Sequence, residues 1–168
     1  DSIWLGEGFF YKKYTPEYML AEVSGIPYGV PGQMLQDGGD LYEGMLYAMN
    51  NRYGWGYTNA VDMYSLWDEF GIADSQMLGY WHSKNPITTD NKSVLTTVYK
   101  KGESALLCVY NFSNKKEHFN FLTDSELLGF EPCDVRKIKF GSKIKKHADI
   151  TKSQQLGGRK GAIYWLKA

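Results

Sequence analysis

The feature that most constrains this chain is a change of grammar near residue 74. Before it, short apolar runs alternate with stretches of helical spacing; after it, almost every segment reads as a strand. Ile3 to Leu5 is a short apolar run that ends in Gly6-Glu7-Gly8. Thr15-Pro16-Glu17 predicts a helix start: a Thr hydroxyl can accept from a first-turn N–H, Pro lacks the N–H that would go unpaired there, and an acid suits the positive helix end. That helix carries Tyr18, Met19, Leu20 and Val23 and stops at Ser24-Gly25. Ile26 to Gly32, with two prolines and two glycines, predicts a strand end followed by a loop. A second helix is expected over Tyr42 to Asn50, from the spacing of Leu41, Met45, Leu46 and Met49. Thr58 is expected to cap a third, Asn59 to Phe70, whose Met63, Leu66, Trp67 and Phe70 share one face.

Beyond Asp74 the expected strands are Gln76 to Trp81, Val94 to Lys100, Ala105 to Tyr110, His118 to Leu122, Val135 to Phe140 and Gly161 to Leu166. Lys101-Gly102-Glu103 predicts a hairpin, and the unbroken apolar run from Ala105 predicts a central strand covered on both faces. Gly157 to Gly161 reads as a hairpin turn before the last strand. The resulting fold class is α+β. Residues 1–74 form C-terminal βα units of a (β/α)8 barrel, too few to close it, and residues 75–168 form an antiparallel β-sandwich. No Pro/Ser-rich linker separates the two, which predicts direct packing between them. A partial barrel leaves open strand edges and apolar helix faces, and these predict self-association. The chain opens at Asp1, with no Met and no leader-like stretch, directly on an apolar segment; the expectation is continuation of a longer or processed polypeptide.

Charge excludes some partners. Nineteen basic and nineteen acidic residues cancel, and the one dense basic stretch, Lys137 to His147, alternates with Ile138, Phe140 and Ile144 like the solvent face of strands. That argues against nucleic acid as a partner. No apolar run is long enough to cross a membrane as a helix. Cys108 and Cys133 are too few for a disulfide framework, though a single bridge between them is compatible with the sequence. Thirteen Tyr, eight Phe and five Trp, many in Gly-punctuated segments, suit shallow sugar-binding surfaces and suit an aromatic core equally.

Several strings carry a family resemblance: Trp4-Leu5-Gly6-Glu7-Gly8-Phe9, Glu22 to Gly29, Gly44-Met45-Leu46-Tyr47 with Arg52, Leu66 to Ile72, and Gly79-Tyr80-Trp81. As a set they resemble bacterial glycoside-hydrolase-like proteins related to glycoside hydrolase family 123. The resemblance implies that residues 1–74 are the last βα segment of a glycosidase barrel, with the sandwich appended. It implies hydrolysis of a glycosidic bond, with N-acetylhexosaminides as a candidate substrate class, carbohydrate as the partner, no cofactor, and a secreted or periplasmic location. It also implies catalysis by an adjacent Asp-Glu pair. Asp68-Glu69 has that form, yet it falls inside an amphipathic helix, whereas barrel catalytic groups stand at the C-terminal ends of strands. The family's pair is therefore expected upstream of Asp1, and this chain alone is expected to be inactive.

Glu7 is the candidate catalytic or sugar-orienting carboxylate, because it follows a short strand between two glycines. Tyr28, Arg52, Trp55 and Tyr57 are candidate substrate contacts: rings to stack on a pyranose face and a guanidinium to fork hydrogen bonds to hydroxyls. Loop packing is the competing explanation for all four. Asp37-Gly38-Gly39-Asp40 lacks calcium-loop spacing and reads as a turn, and His82, His118 and His147 are scattered, so no metal site is expected. Asn91-Lys92-Ser93 and Asn111-Phe112-Ser113 match the glycosylation acceptor pattern. The alternatives to an enzyme segment are a non-catalytic carbohydrate-binding or interaction module and a purely structural domain.

Overall fold

A computed structural model describes residues 3–5, 10–35, 39–51, 60–140 and 146–168. Thr15 caps the first helix as expected, its hydroxyl accepting from the Tyr18 N–H at 3.2 Å. One α turn, α1 (Pro16–Tyr18), continues as a wider π turn over Met19–Val23. The chain then turns through Ile26–Tyr28, flanked by left-handed Gly25 and Gly29. This crossover joins β1 (Ile3–Leu5) to β2 (Gly32–Met34), which pair in parallel, and parallel neighbours require such a connection. The expected strand end at Ile26 is thus displaced to Gly32, beyond both prolines, where ladder donors are available.

α2 (Leu41–Leu46) is shorter than expected. Ala48 takes a left-handed φ of 54°, and the tail of the expected helix becomes β3 (Asn50–Asn51), parallel to β2. The parallel sheet thus runs β1-β2-β3. α3 (Ala60–Phe70) buries Met63, Leu66 and Phe70 on the expected face and ends at left-handed Gly71.

The second part is built on one six-stranded antiparallel sheet. Its strands are β4 (Gln76–Leu78), β6 (Val94–Lys101), β7 (Ser104–Asn111), β10 (Asp134–Ile138), β11 (Lys146–His147) and β13 (Gly161–Lys167), in the order β11-β10-β13-β7-β6-β4. Two ribbons lie beside it. β5 (Ile87–Thr89) pairs with β9 (Phe121–Thr123), and β8 (Glu117–Phe119) pairs with β12 (Gln154–Leu156). A short helix, α4 (Ser125–Leu128), follows β9 with Asp124 as its cap. The expected strand His118 to Leu122 is therefore two strands in two ribbons. The Gly157–Lys160 turn joins β12 to β13, which lie in different sheets, and so is not a hairpin.

The apolar run in β7 is covered on both faces, because successive side chains leave a strand on opposite sides. Leu106, Cys108 and Tyr110 join Met45, Leu46, Met49, Met63 and Phe70 in one core; Ala105, Leu107 and Val109 join Ile87, Phe119, Ile150 and Leu156 in another. β13 divides in the same way, Ile163 and Trp165 to the first, Ala162, Tyr164 and Leu166 to the second. The helices and parallel sheet cover one face of the large sheet, and the ribbons cover the other.

α2 is the joint between the two parts. A helix leaves its last carbonyls without intrahelical partners. Here the Tyr99 hydroxyl donates to the Met45 carbonyl at 2.5 Å and the Thr97 hydroxyl to the Leu46 carbonyl at 2.8 Å. The Cys108 thiol approaches the Tyr42 carbonyl at 3.2 Å. On the sheet side, Gly161 lets the Tyr42 side chain come close: a Cβ there would stand 2.3 Å from the Tyr42 Cβ. Gly161→Ala is expected to push α2 off β13 and to cost about 1–3 kcal/mol, the usual cost of overpacking. A lowered urea midpoint with unchanged slope is the check. The two cysteines are both free, Cys108 buried and Cys133 exposed, so the bridge left open by the sequence is not formed.

Candidate functional site

The three parallel strands end side by side, at Leu5, Met34 and Asn51. The edge they form is where an α/β fold places its chemistry. Gly39 is needed there. It has a φ of 80°, and a Cβ on it would meet the Asn51 amide at 2.2 Å and the Met34 Cβ at 2.7 Å. The Tyr64 hydroxyl of α3 donates to the Asn51 carbonyl and fixes the end of β3.

Glu7, Arg52, Trp55 and Tyr57 lie outside the described residues; in sequence, Glu7 follows β1 by two positions and Arg52 follows β3 directly. Tyr28 is described and departs from that grouping. It precedes β2, next to the segment whose Pro31 carbonyl accepts from the Ile3 N–H, and so stands at the opposite, N-terminal end of the strands. It is 62% exposed. Asp68 and Glu69 are exposed near the far end of α3, with Glu69 facing Asp134, Arg136 and Lys167. That surface belongs to the antiparallel part, well removed along α3 from the strand ends.

Behind the strand-end edge lies a group that the sequence reading passed over. Asp40 caps α2, its Oδ1 accepting from the Tyr42 and Glu43 N–H groups at 3.0 and 3.1 Å. Asp37 and Gly38 lie outside the described residues, and among those described no cluster of three metal-ligating side chains occurs. Asp40-x-x-Glu43 has the form of a capping box, in which the acid three positions on turns back to the cap. Glu43 does not turn back. Its side chain is fully buried between α2 and β7 with the Tyr110 hydroxyl facing its carboxyl group, and among the described residues neither carboxyl oxygen makes a well-formed hydrogen bond. The Tyr110 hydroxyl, whose interaction is with this carboxyl, and the Arg159 Nη1 are buried too, and neither makes a well-formed hydrogen bond among the described residues.

Burial, and then the neighbouring charge of Asp40, push the Glu43 carboxyl up to about 7. The Tyr110 hydroxyl, Arg159 and Lys12 pull the other way and do not offset the loss of solvation. Burial likewise raises Asp40. The pattern Asp-x-x-Glu was the available signal for this pair; that Glu43 would face Tyr110 depends on packing across 67 positions of sequence, and no local pattern encodes it.

The match to known families follows this architecture. Residues 1–54 match the glycoside hydrolase 123 TIM-barrel domain, and residues 59–161 match the glycoside hydrolase 123 C-terminal domain. The chain belongs to glycoside hydrolase family 123. Among solved structures, it is similar to the trehalose-6-phosphate hydrolase of Bacillus licheniformis, at 15% identity and a TM-score of 0.39. The similarity covers 64% of this chain and 17% of that one, so the family 123 chain spans a small fraction of that hydrolase. No curated protein matches it. Among the described residues, no helix is long and apolar enough to cross a membrane.

Proposed function

We propose that this chain is the C-terminal part of a glycoside hydrolase, contributing sugar contacts from the ends of β1 and β3 and a β-sandwich that buttresses them. The observation that carries this reading is the parallel order β1-β2-β3, in which Glu7 follows one strand and Arg52, Trp55 and Tyr57 follow the strand two places along. Residues that continue from neighbouring parallel strands start from one edge, and a carboxylate with an Arg and two rings there is suited to a pyranose. Glu7 orients a hydroxyl or moves a proton. A second carboxyl group is needed unless the substrate supplies its function, and we place it in polypeptide upstream of Asp1.

The substrate class to test first is an aryl N-acetylhexosaminide, as family membership suggests. In a longer polypeptide that includes the upstream segment, Glu7→Gln is expected to lower kcat by about a hundredfold or more if Glu7 transfers a proton. Trp55→Ala is expected to raise KM by about tenfold, the loss of one stacking contact. Full activity in Glu7→Gln would remove Glu7 from the site, and no glycosidase activity on any substrate class would overturn the reading. Self-association through the outer edges of β1 and β3 belongs to the same proposal; a concentration-dependent sedimentation coefficient for the 168-residue chain is the expected sign of it.

A further inference from the structure

A second cleft lies on the antiparallel part, away from the parallel strands, with a volume of about 500 Å³. Four separate segments converge on it: β9, the start of α4, the turn into β10, and the residues after β11. Buried Val135 and Ile150 and half-buried Phe121 form its floor, and exposed Thr123, Thr151 and Glu131 stand around the rim. The Phe121 ring is held edge-on by Phe119 at 5.2 Å and by Tyr164 at 5.7 Å, so it presents a fixed surface. Asp149 is held as well, accepting from the Thr151 N–H and hydroxyl and paired with Lys152 at 3.2 Å. His147 closes one end, 3.5 Å from Asp134.

The size falls within the range of small-ligand sites, roughly 300–1,000 Å³. The chemistry narrows the ligand. Among the described residues no Lys or Arg lines the cleft, while Glu131 and Asp149 do, which disfavours an anion. A fixed aromatic floor ringed by carboxylate and hydroxyl acceptors fits a ring that is apolar on one face and carries hydroxyl donors at its edge. We infer that this cleft is a second saccharide site, which holds a neutral oligosaccharide by stacking on Phe121 and by hydroxyl contacts to Glu131 and Thr151. The inference rests on the glycoside-hydrolase reading for its ligand class, and not on the strand-end residues.

Cys133 supplies the test, because its exposed thiol lines the cleft while Cys108 is fully buried. In the native 168-residue chain, alkylation therefore reports on Cys133 alone. A β-linked N-acetylhexosamine tetrasaccharide at millimolar concentration is expected to slow iodoacetamide labelling at Cys133 at least threefold, roughly the occupancy of a weak sugar site. Phe121→Ala is expected to abolish that protection. Glu131→Gln, an exposed substitution that leaves the floor intact, is expected to weaken it severalfold and guards against a folding defect in Phe121→Ala. An unchanged labelling rate with this sugar and with neutral glucan oligosaccharides would overturn the inference. So would protection undiminished in both variants, or protection by a lysine-rich peptide in place of sugars. Hydrolysis lost in Glu7→Gln with no protection at Cys133 would leave the catalytic reading standing without this site. Protection in a protein that cleaves no glycoside would do the reverse.

Discussion

Raising the pH from about 5 to about 8 is expected to weaken this fold by roughly 3 kcal/mol, and Glu43→Gln is expected to remove most of that loss. The Glu43 carboxyl binds its proton more tightly in the folded chain, where burial moves it from 4.5 to about 7. A group raised in this way adds stability that is complete below its unfolded value and disappears as the pH climbs through its folded value. At about 1.4 kcal/mol per pH unit, the rise accounts for the size of the effect. The groups facing the carboxyl are Asp40 on its own helix, Tyr110 on β7, Arg159 before β13, and Lys12 in the segment after β1. Asp40 is also raised and adds to the same trend, so a small slope should survive in Glu43→Gln. The surface acids Asp90 and Asp149 and the half-buried Glu117 and Asp134 are lowered by hydrogen bonds, and their contribution is lost only as the pH falls below the ordinary carboxylate range. The window from about 5 to 8 therefore isolates the buried pair. Urea midpoints across it are the measurement. A flat or rising profile would mean that Glu43 is ionised and held by Arg159. Tyr110→Phe sharpens the test: the hydroxyl lowers the Glu43 value, so removing it should shift the transition to higher pH.

What was legible in the sequence was local. The Thr15 cap, the buried face of α3, the β6–β7 hairpin and the two-sided burial of β7 each follow from spacing over a few residues, and each is present. The failures share a cause. β3 was hidden in the tail of an expected helix, because Met49 fits the spacing of α2 and only the left-handed turn at Ala48 redirects it. The ribbon strands β5 and β12, three residues each, are too short to show an alternation. Periodicity also cannot assign strands to sheets, and five of the six expected strands contribute to a single sheet. At the candidate site the same division holds. Glu7 after a short apolar run and Arg52 in a Gly-aromatic loop were expectations from turn chemistry, whereas the parallel order that sets β1 and β3 on either side of β2 was not in any local pattern. Tyr28 could not be sorted from them, since which end of a strand a loop serves depends on where the strand begins. Glu43 drew no notice, because its environment is made by β7 and the Gly157–Lys160 turn, far away in sequence.

Asn111→Ala is expected to be the most damaging single substitution, at about 3–5 kcal/mol, because it strands several buried polar groups at once. Asn111 is fully buried at the end of β7. Its amide nitrogen donates to the carbonyls of Lys115, Leu156 and Gly157 at 2.8, 3.2 and 3.0 Å, and its amide oxygen accepts from the Ser113 N–H at 2.9 Å. Although Asn111-Phe112-Ser113 fits a glycosylation acceptor, every polar atom of that side chain is engaged inside the fold. An alanine there takes their donor from the Leu156 and Gly157 carbonyls and the acceptor from the Ser113 N–H, and leaves the Lys115 carbonyl with the Ser113 hydroxyl alone. Asn111→Asp should be at least as harmful, since it keeps the bond to Ser113 but sets a carboxylate against three carbonyl oxygens. The damage should also reach Glu43. The same turns carry Arg159, whose N–H donates to the Ser113 carbonyl at 3.0 Å and whose Nε donates to Asn114 at 3.3 Å. Loosening them withdraws the cation that faces the buried carboxyl, so Asn111→Ala and Glu43→Gln should be less costly together than their separate effects predict, by about 0.5–3 kcal/mol in a double-mutant cycle. Strict additivity, or an Asn111→Ala protein within about 1 kcal/mol of the parent, would mean that this amide does not tie the turn to the joint between α2 and the sheet.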